Sequence, residues 1–269
     1  KQSTGQKQQS EEIPDQLKSI EENIEKIFKE LDGPSVGVKE QKKEEETQEA
    51  GQKSDGSQEK QQSNNQGGEE QSQQSKESGQ SEKTQQEPPK KEEQEQTRKD
   101  PWKEVTSIAN DLHFKWNNYM PSVVKKGAGN KLIDDFSSSL NNLTNIILKI
   151  NKNDTLMAAN KLYASIPEFY SLYKTKTSPE IKRIRYFARN SMLNSMTSDW
   201  TKADSDLESL KSSWSLLKNT TSSEQQELVS KLDLSIIELE KAIKERSQPI
   251  IEIKGRIALL NMEDLENKM

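Results

Sequence analysis

The chain has 269 residues, of which only 29% are hydrophobic, and it carries no cysteine and a formal net charge of −5. Without cysteine it can form no disulfide, no thiolate zinc site and no cysteine nucleophile. Residues 1–100 hold 16 Lys and Arg against 24 Asp and Glu, and residues 101–269 hold 24 against 21. Neither part indicates a nucleic-acid partner, because phosphate binding needs a concentrated excess of Lys and Arg.

Residues 1–34 predict a polar N-terminus followed by one amphipathic helix over about 14–31. Its apolar side chains recur at helical spacing: Leu17, Ile20, Ile24, Ile27 and Leu31. Gly33 and Pro34 end the pattern. A helix of about 17 residues is marginal alone in water. We therefore expect it to dock on the folded domain, on another copy or on a membrane-bound partner, the alternative being a helix that forms only transiently.

Residues 35–100 predict a disordered linker rich in Gln, Glu, Lys and Ser. From residue 51 to residue 100 the sequence contains no aliphatic or aromatic hydrophobic side chain, so this segment cannot build a core. A segment of this composition behaves as a flexible tether.

Residues 101–269 predict a helical bundle domain. Three shorter amphipathic helices begin near Trp102, Leu132 and Asp154, and Pro167 predicts a kink in the third. No run of alternating β-branched residues indicates a strand.

Two long amphipathic helices are predicted to follow, over about 178–217 and 222–261, and to extend roughly 60 Å each. The apolar stripe of the second passes through Ile250, Ile253 and Ile257. Because this stripe continues in phase after Pro249, the proline predicts a kink rather than an end. The expected fold is all-α: an antiparallel bundle of four to five helices including one long helical hairpin, preceded by a disordered tether.

Six side chains are candidates for a ligand site: His113, Trp116, Tyr119, Tyr163, Arg185 and Arg189. Arg185 and Arg189 are one helical turn apart and share a face. Arginine binds carboxylate or phosphate through its planar fork, and aromatic faces suit apolar rings or sugars. The set predicts a pocket for a small anionic or aromatic ligand. The alternative is that both arginines pair with carboxylates of neighbouring helices and the aromatic rings fill the core.

His113 is the only histidine. A histidine metal site usually needs two or three imidazoles, or carboxylates at helical spacing. We therefore predict no metal and no cofactor. Three interpretations of His113 remain: a structural residue, a ligand contact or a catalytic residue. No Gly-rich phosphate loop, Gly-x-Ser-x-Gly or His-Glu-x-x-His motif occurs, so we predict that the protein is not an enzyme.

The order of polar N-terminus, long low-complexity linker and helical domain resembles a mature bacterial lipoprotein, for example one of Gram-positive type. The chain begins at Lys1 rather than Met, which fits removal of a signal peptide and an acylated Cys that would precede it. The resemblance implies a non-enzymatic extracytoplasmic binding or scaffolding protein, held at the membrane by an N-terminal anchor not present in this chain. Its partner would be a protein or a small ligand.

Two alternatives remain at this point. One is an intracellular coiled-coil structural or regulatory protein in the cytoplasm, whose apolar stripes would be seams for self-association. The other is a helical bundle that binds a small anionic or aromatic ligand or a metal near His113 and Arg189.

Overall fold

The computed structural model describes residues 10–36, 100–175 and 177–269, and the regular structure within them is helical throughout. The prediction of an all-α bundle is confirmed. Most of the predicted linker, residues 37–99, lies outside the described residues. The helices are α1 (Asp15–Glu30), α2 (Pro101–Lys125), α3 (Asn130–Ile147), α4 (Lys152–Tyr163), α5 (Ile166–Ser171), α6 (Glu180–Met196), α7 (Trp200–Lys218), a 3-10 turn (Ser223–Gln225), α8 (Gln226–Lys244) and α9 (Gln248–Glu266).

Helices α1 to α4 form a first four-helix bundle. α1 packs on α2 and α4, and α3 packs on α2 and α4, so the four close a ring. Its interior holds a cluster of aromatic rings, in which the ring centre of Phe136 lies 4.4 Å from that of Trp116 and 5.4 Å from that of Phe169. Pro167 stands in the first turn of α5, so the predicted kink is a break between α4 and α5.

Helices α6 to α9 form a second four-helix bundle in the same way. Each packs on the next in sequence, and α9 returns to α6. The core of this bundle includes Ile184, Leu210, Leu239 and Leu259. α6 also contacts α4 and α5, and its Leu193 belongs to the core of the first bundle. α6 is therefore the helix that the two bundles share.

The predicted N-terminal helix is part of the first bundle. The apolar residues of α1 that have no exposed surface are Leu17, Ile20, Ile24, Ile27 and Phe28. Side-chain contacts join residue 11 to 126, 19 to 115 and 23 to 111, so α1 runs antiparallel to α2. The end of α1 therefore lies beside the start of α2.

This packing changes how residues 35–100 must be interpreted. Because α1 and α2 belong to one bundle, residues 37–99 connect two ends of the same folded unit. Such a connection cannot space the domain away from an attachment at the N-terminus. Only the residues that precede α1 can do so.

The first long helix predicted over 178–217 is instead the antiparallel pair α6 and α7. Ser198 adopts a φ of 60° between them. The N–H of Asp199 then donates to the carbonyl of Asn194, which is the Schellman arrangement that ends a helix. The Asp199 side chain accepts from the N–H of Lys202 and caps the start of α7.

The second long helix predicted over 222–261 is likewise divided, into α8 and α9. Arg246 adopts a φ of 54°, and the N–H of Ser247 donates to the carbonyl of Ala242 in the same arrangement. Pro249 lies in the first turn of α9 rather than at a kink. The predicted long hairpin is therefore two short hairpins packed together.

The predicted apolar stripe of α9 is also wrong. Ile250, Ile253 and Ile257 are 42%, 59% and 43% exposed. The buried face is instead Ile251, Gly255, Ala258, Leu259, Met262 and Leu265. At Gly255 an added Cβ would lie 2.3 Å from the sulfur of Met192, so a larger residue there would have to displace the Met192 side chain. With this face of α9 turned towards α6, Ile250, Ile253 and Ile257 lie on the outside.

Candidate functional site

A cluster of buried charges joins α1, α6 and α9. It consists of three carboxylates and three cations, which we call the ion cluster: Glu21, Glu25, Glu266, Lys182, Arg185 and Arg189. Charges are rarely buried without partners, since removing an ion from water costs several kcal/mol. Equal numbers of both signs make this burial possible.

Glu21 of α1 lies at the centre of the ion cluster. Its Oε1 forms an ion pair with the Nζ of Lys182 at 2.6 Å and accepts from the hydroxyl of Tyr163 at 2.8 Å. Its Oε2 accepts from the hydroxyl of Tyr170 at 2.6 Å, and Nη1 of Arg185 lies 3.4 Å from Oε1. One carboxylate of α1 is thus bound by groups from α4, α5 and α6.

Arg189 of α6 is fully buried. Its Nη2 donates to Glu25 of α1, and its Nε donates to the carbonyl of Pro34 at 2.9 Å. The guanidinium carbon lies 4.3 Å from the ring centre of Phe28 and 5.0 Å from that of Tyr163, within the range of cation–π attraction. Arg189 therefore fixes both α1 and the segment that follows it.

Glu266 connects the C-terminal helix to the same cluster. Its carboxylate is bound by Lys182 and Arg185, each at 2.5 Å. Burial alone would raise the pKa of Glu266, but the charges and hydrogen bonds of Arg185 and Lys182 lower it to about 2. Burial also raises the pKa of the Tyr163 hydroxyl well above its ordinary value, so Tyr163 stays protonated and donates to Glu21.

Three of the six predicted site residues, Tyr163, Arg185 and Arg189, are brought together in the ion cluster. Nη1 of Arg185 lies 3.2 Å from the hydroxyl of Tyr163. Both guanidinium groups are bound by carboxylates of neighbouring helices. This is the alternative that the sequence left open, in which the arginines hold helices together.

The other three lie elsewhere in the first bundle. Trp116 and Tyr119 belong to its buried core, where Nε1 of Trp116 donates to Ser137 and the hydroxyl of Tyr119 pairs with that of Tyr173. Nε2 of His113 lies 2.9 Å from the hydroxyl of Thr144 on α3.

The hydroxyl of Thr144 in turn donates to the carbonyl of Leu140. Nε2 of His113 must therefore carry the hydrogen that Thr144 accepts.

The six predicted site residues are divided between the ion cluster and other parts of the first bundle. They therefore form no common pocket.

The carboxylates of the ion cluster were missed by the sequence reasoning, although their spacing carried a signal. Glu21 and Glu25 are four residues apart, on or beside the apolar stripe of α1, and Arg185 and Arg189 are also four apart. Pairs with equal spacing can face each other on two parallel helices. That match of spacing was the available clue.

A second feature of the surface is an exposed apolar strip on the second bundle. We call it the α8–α9 strip: Leu234, Ile250, Ile253 and Ile257. Leu234 of α8 and Ile257 of α9 line the same groove, a cavity of about 250 Å³ bordered by Lys231, Glu238 and Lys254. Exposed apolar side chains grouped in this way are typical of interaction surfaces.

Within residues 10–36, 100–175 and 177–269, no helix is both long and apolar enough to cross a membrane. The same residues contain no group of three or more His, Asp or Glu side chains arranged to hold a metal ion. Compared with protein-family models, with curated proteins and with solved structures, the chain matches none of them.

Proposed function

We propose that the protein is a non-enzymatic binding or scaffolding protein that is held at the cell envelope, outside the cytoplasm, through its N-terminus. In this role the two bundles present surfaces to a partner, and the N-terminal segment supplies the attachment. The first support for the proposal is the resemblance of the sequence to a mature lipoprotein, in which the polar residues before α1, rather than residues 37–99, would provide the attachment.

The observation that carries the proposal is the way α1 is fixed. α1 is the helix nearest to the N-terminus, and two of its buried carboxylates are bound by three cations of α6. Its apolar face is fully buried as well. An attachment at the N-terminus would therefore hold both bundles through α1, without any contribution from residues 37–99.

The coiled-coil alternative has less support. The stripe of α1 and those of α6, α7 and α8 are buried within one chain, so they are not available as seams between copies. The small-ligand alternative also has less support, because the arginines and aromatic rings proposed for its pocket are bound to partners in the same chain.

The proposal can be tested by membrane fractionation of cells that produce the full-length protein with its natural N-terminus. A site for a specific protease is placed within residues 37–99, and a tag at the C-terminus is followed. We expect the intact protein in the membrane fraction, with lipid on its N-terminal residue by mass spectrometry. After cleavage, residues 100–269 should stay with the membrane because α1 still holds them.

The matched variants are Arg189→Met, which removes a cation of the ion cluster, and Lys202→Met, which removes an exposed partner of Asp199. We expect cleavage to release the C-terminal fragment of the first variant and to leave that of the second in place. An intact protein that fractionates as soluble and carries no lipid would refute the envelope attachment. Release of the wild-type C-terminal fragment after cleavage would refute the role of α1 but not the envelope attachment.

A further inference from the structure

α1 differs from the other helices in how it is joined to its neighbour in the fold. The antiparallel pairs α6–α7 and α8–α9 are each connected by three residues, 197–199 and 245–247. The antiparallel pair α1–α2 is connected by residues 31–100, although the end of α1 lies beside the start of α2. Connections between neighbouring helices ordinarily have about two to eight residues. The position of α1 therefore depends on its side-chain contacts far more than on its covalent connection.

The length of this connection determines how strongly α1 is confined to its own chain. The effective concentration of a linked group falls roughly as the −3/2 power of the linker length, so the 70 residues 31–100 lower it about a hundredfold relative to three. We expect a value on the order of 1 mM or below. The same residues can span up to about 230 Å, several times the roughly 38 Å length of α2. α1 can therefore reach a second copy, which competes for it near that concentration.

The surface that α1 covers on α2, α4, α5 and α6, which we call the α1 groove, is complementary to α1 in charge and in shape. Without α1, the ion cluster would keep three cations of α6 against one carboxylate of α9. Glu21 and Glu25 supply the two missing negative charges. The apolar face of α1 is buried in the same groove. Because α1 of any copy carries these features, it fits the α1 groove of another copy equally well.

We propose that two copies of this chain exchange α1, so that each ion cluster is completed by Glu21 and Glu25 of the second copy. Exchange of an identical element between copies keeps every contact of that element. Unlike a coiled coil, the exchanged dimer needs no new seam and exposes no core residue. The inference goes beyond the proposed attachment, because it concerns association between copies.

The test makes use of the absence of cysteine from the chain. Oγ of Ser19 on α1 lies 2.7 Å from Nζ of Lys115 on α2. One full-length variant carries Ser19→Cys and another carries Lys115→Cys. The two are mixed in equal amounts, unfolded in urea, refolded together and treated with a short bismaleimide crosslinker. Mass spectrometry counts only crosslinks between the two positions, which require α1 of one copy to lie on α2 of the other.

We expect the yield of these crosslinks to rise at least tenfold between about 10 µM and about 1 mM total protein. A second pair, Glu11→Cys with Lys126→Cys, replaces a partly exposed contact and reports the same exchange. The control pair is Ser19→Cys with Lys202→Cys, which measures chance encounters because Lys202 is an exposed residue of the second bundle. Its yield at about 1 mM should be at least tenfold lower. Melting curves check that each variant folds.

The length of the connection supplies an independent control. When residues 37–99 are replaced by a flexible 12-residue linker, the crosslink yield at about 0.1 mM should fall about tenfold, because the shorter connection raises the effective concentration of α1 within its own chain.

Two results would overturn the proposal. A yield at about 1 mM no higher than that of the control pair would show that α1 stays in the groove of its own chain. A yield that the 12-residue linker leaves unchanged would show that the dimers do not arise from exchange. None of these measurements involves a membrane, so their failure is distinct from failure of the envelope proposal.

Discussion

The pair formed by Arg189 and Glu25 should dominate the attachment of α1. In the variant Arg189→Met, Glu25 keeps its buried position, at 8% exposure, but loses its cation. Removal of one partner from a buried ion pair costs about 3–5 kcal/mol, because the remaining charge stays out of water. The variant also loses the hydrogen bond to the carbonyl of Pro34. We expect its free energy of unfolding to fall by about 4 kcal/mol.

The double variant Arg189→Met/Glu25→Met should recover most of that loss. Replacing a buried ion pair by apolar side chains of similar size is often neutral or stabilising. Here each partner also keeps one buried atom without a hydrogen bond, Nη1 of Arg189 and Oε1 of Glu25, so the wild-type pair is incompletely satisfied. The double variant should lie within about 1 kcal/mol of the wild type, which gives a coupling energy above about 3 kcal/mol.

Urea unfolding followed by circular dichroism measures these free energies, and hydrogen exchange of α1 measures its local release. Lys202→Met is the control, because it removes an exposed ion pair of α7 that solvent screens and that should contribute little to stability. A loss below about 1 kcal/mol for Arg189→Met, or a double variant as unstable as the sum of its singles, would show that the reasoning about buried charge is wrong.

Three further predictions concern other parts of the chain. Replacing the 63 residues 37–99 by a flexible 12-residue linker should stabilise the protein by about 1.5 kcal/mol in urea unfolding, because a shorter loop loses less entropy on closure; a large loss of stability would mean that this segment contributes to the fold. Glu266→Gln should flatten the dependence of stability on pH below pH 5. The pKa of Glu266 is lowered from 4.5 to about 2 in the folded chain, so its contribution is complete above about pH 5 and is lost as the pH falls towards 2; an unchanged slope between pH 5 and pH 3 would contradict this. Ile253→Glu should change the melting temperature little, whereas Leu259→Glu should unfold the second bundle because an unpaired carboxylate would enter its core. The reverse order would mean that the predicted stripe of α9 is the buried one after all.

The periodicity of the sequence was sufficient to predict the helices but not the places where the chain reverses. The turns at Ser198 and Arg246 require a positive φ, and glycine, the usual residue at such a position, is absent from both. The apolar pattern passes through them nearly in phase, so a continuous helix and a hairpin are equally compatible with it. Packing decides between them, because each hairpin buries its stripes within a compact bundle.

In the candidate site, too, the sequence predicted the local feature but not the tertiary contacts. The one-turn spacing of Arg185 and Arg189 indicated a shared face and a need for anionic partners. The identity of those partners depends on contacts across 164 residues, from Glu21 to Arg185 and from Glu25 to Arg189. No local pattern determines such contacts.

What the sequence determined by itself was local: the helical class, the amphipathic α1 and the inability of residues 51–100 to build a core. These follow from side-chain spacing and composition, which act over a few turns. The tertiary structure alone decided that α1 completes the first bundle, that the carboxylates of α1 bind the arginines of α6, and that α9 turns Ile251 and Gly255 inward and Ile250, Ile253 and Ile257 outward. Each of these depends on which helix surfaces are in contact in the folded chain. Burial of charge and close packing of helices arise only from such contacts.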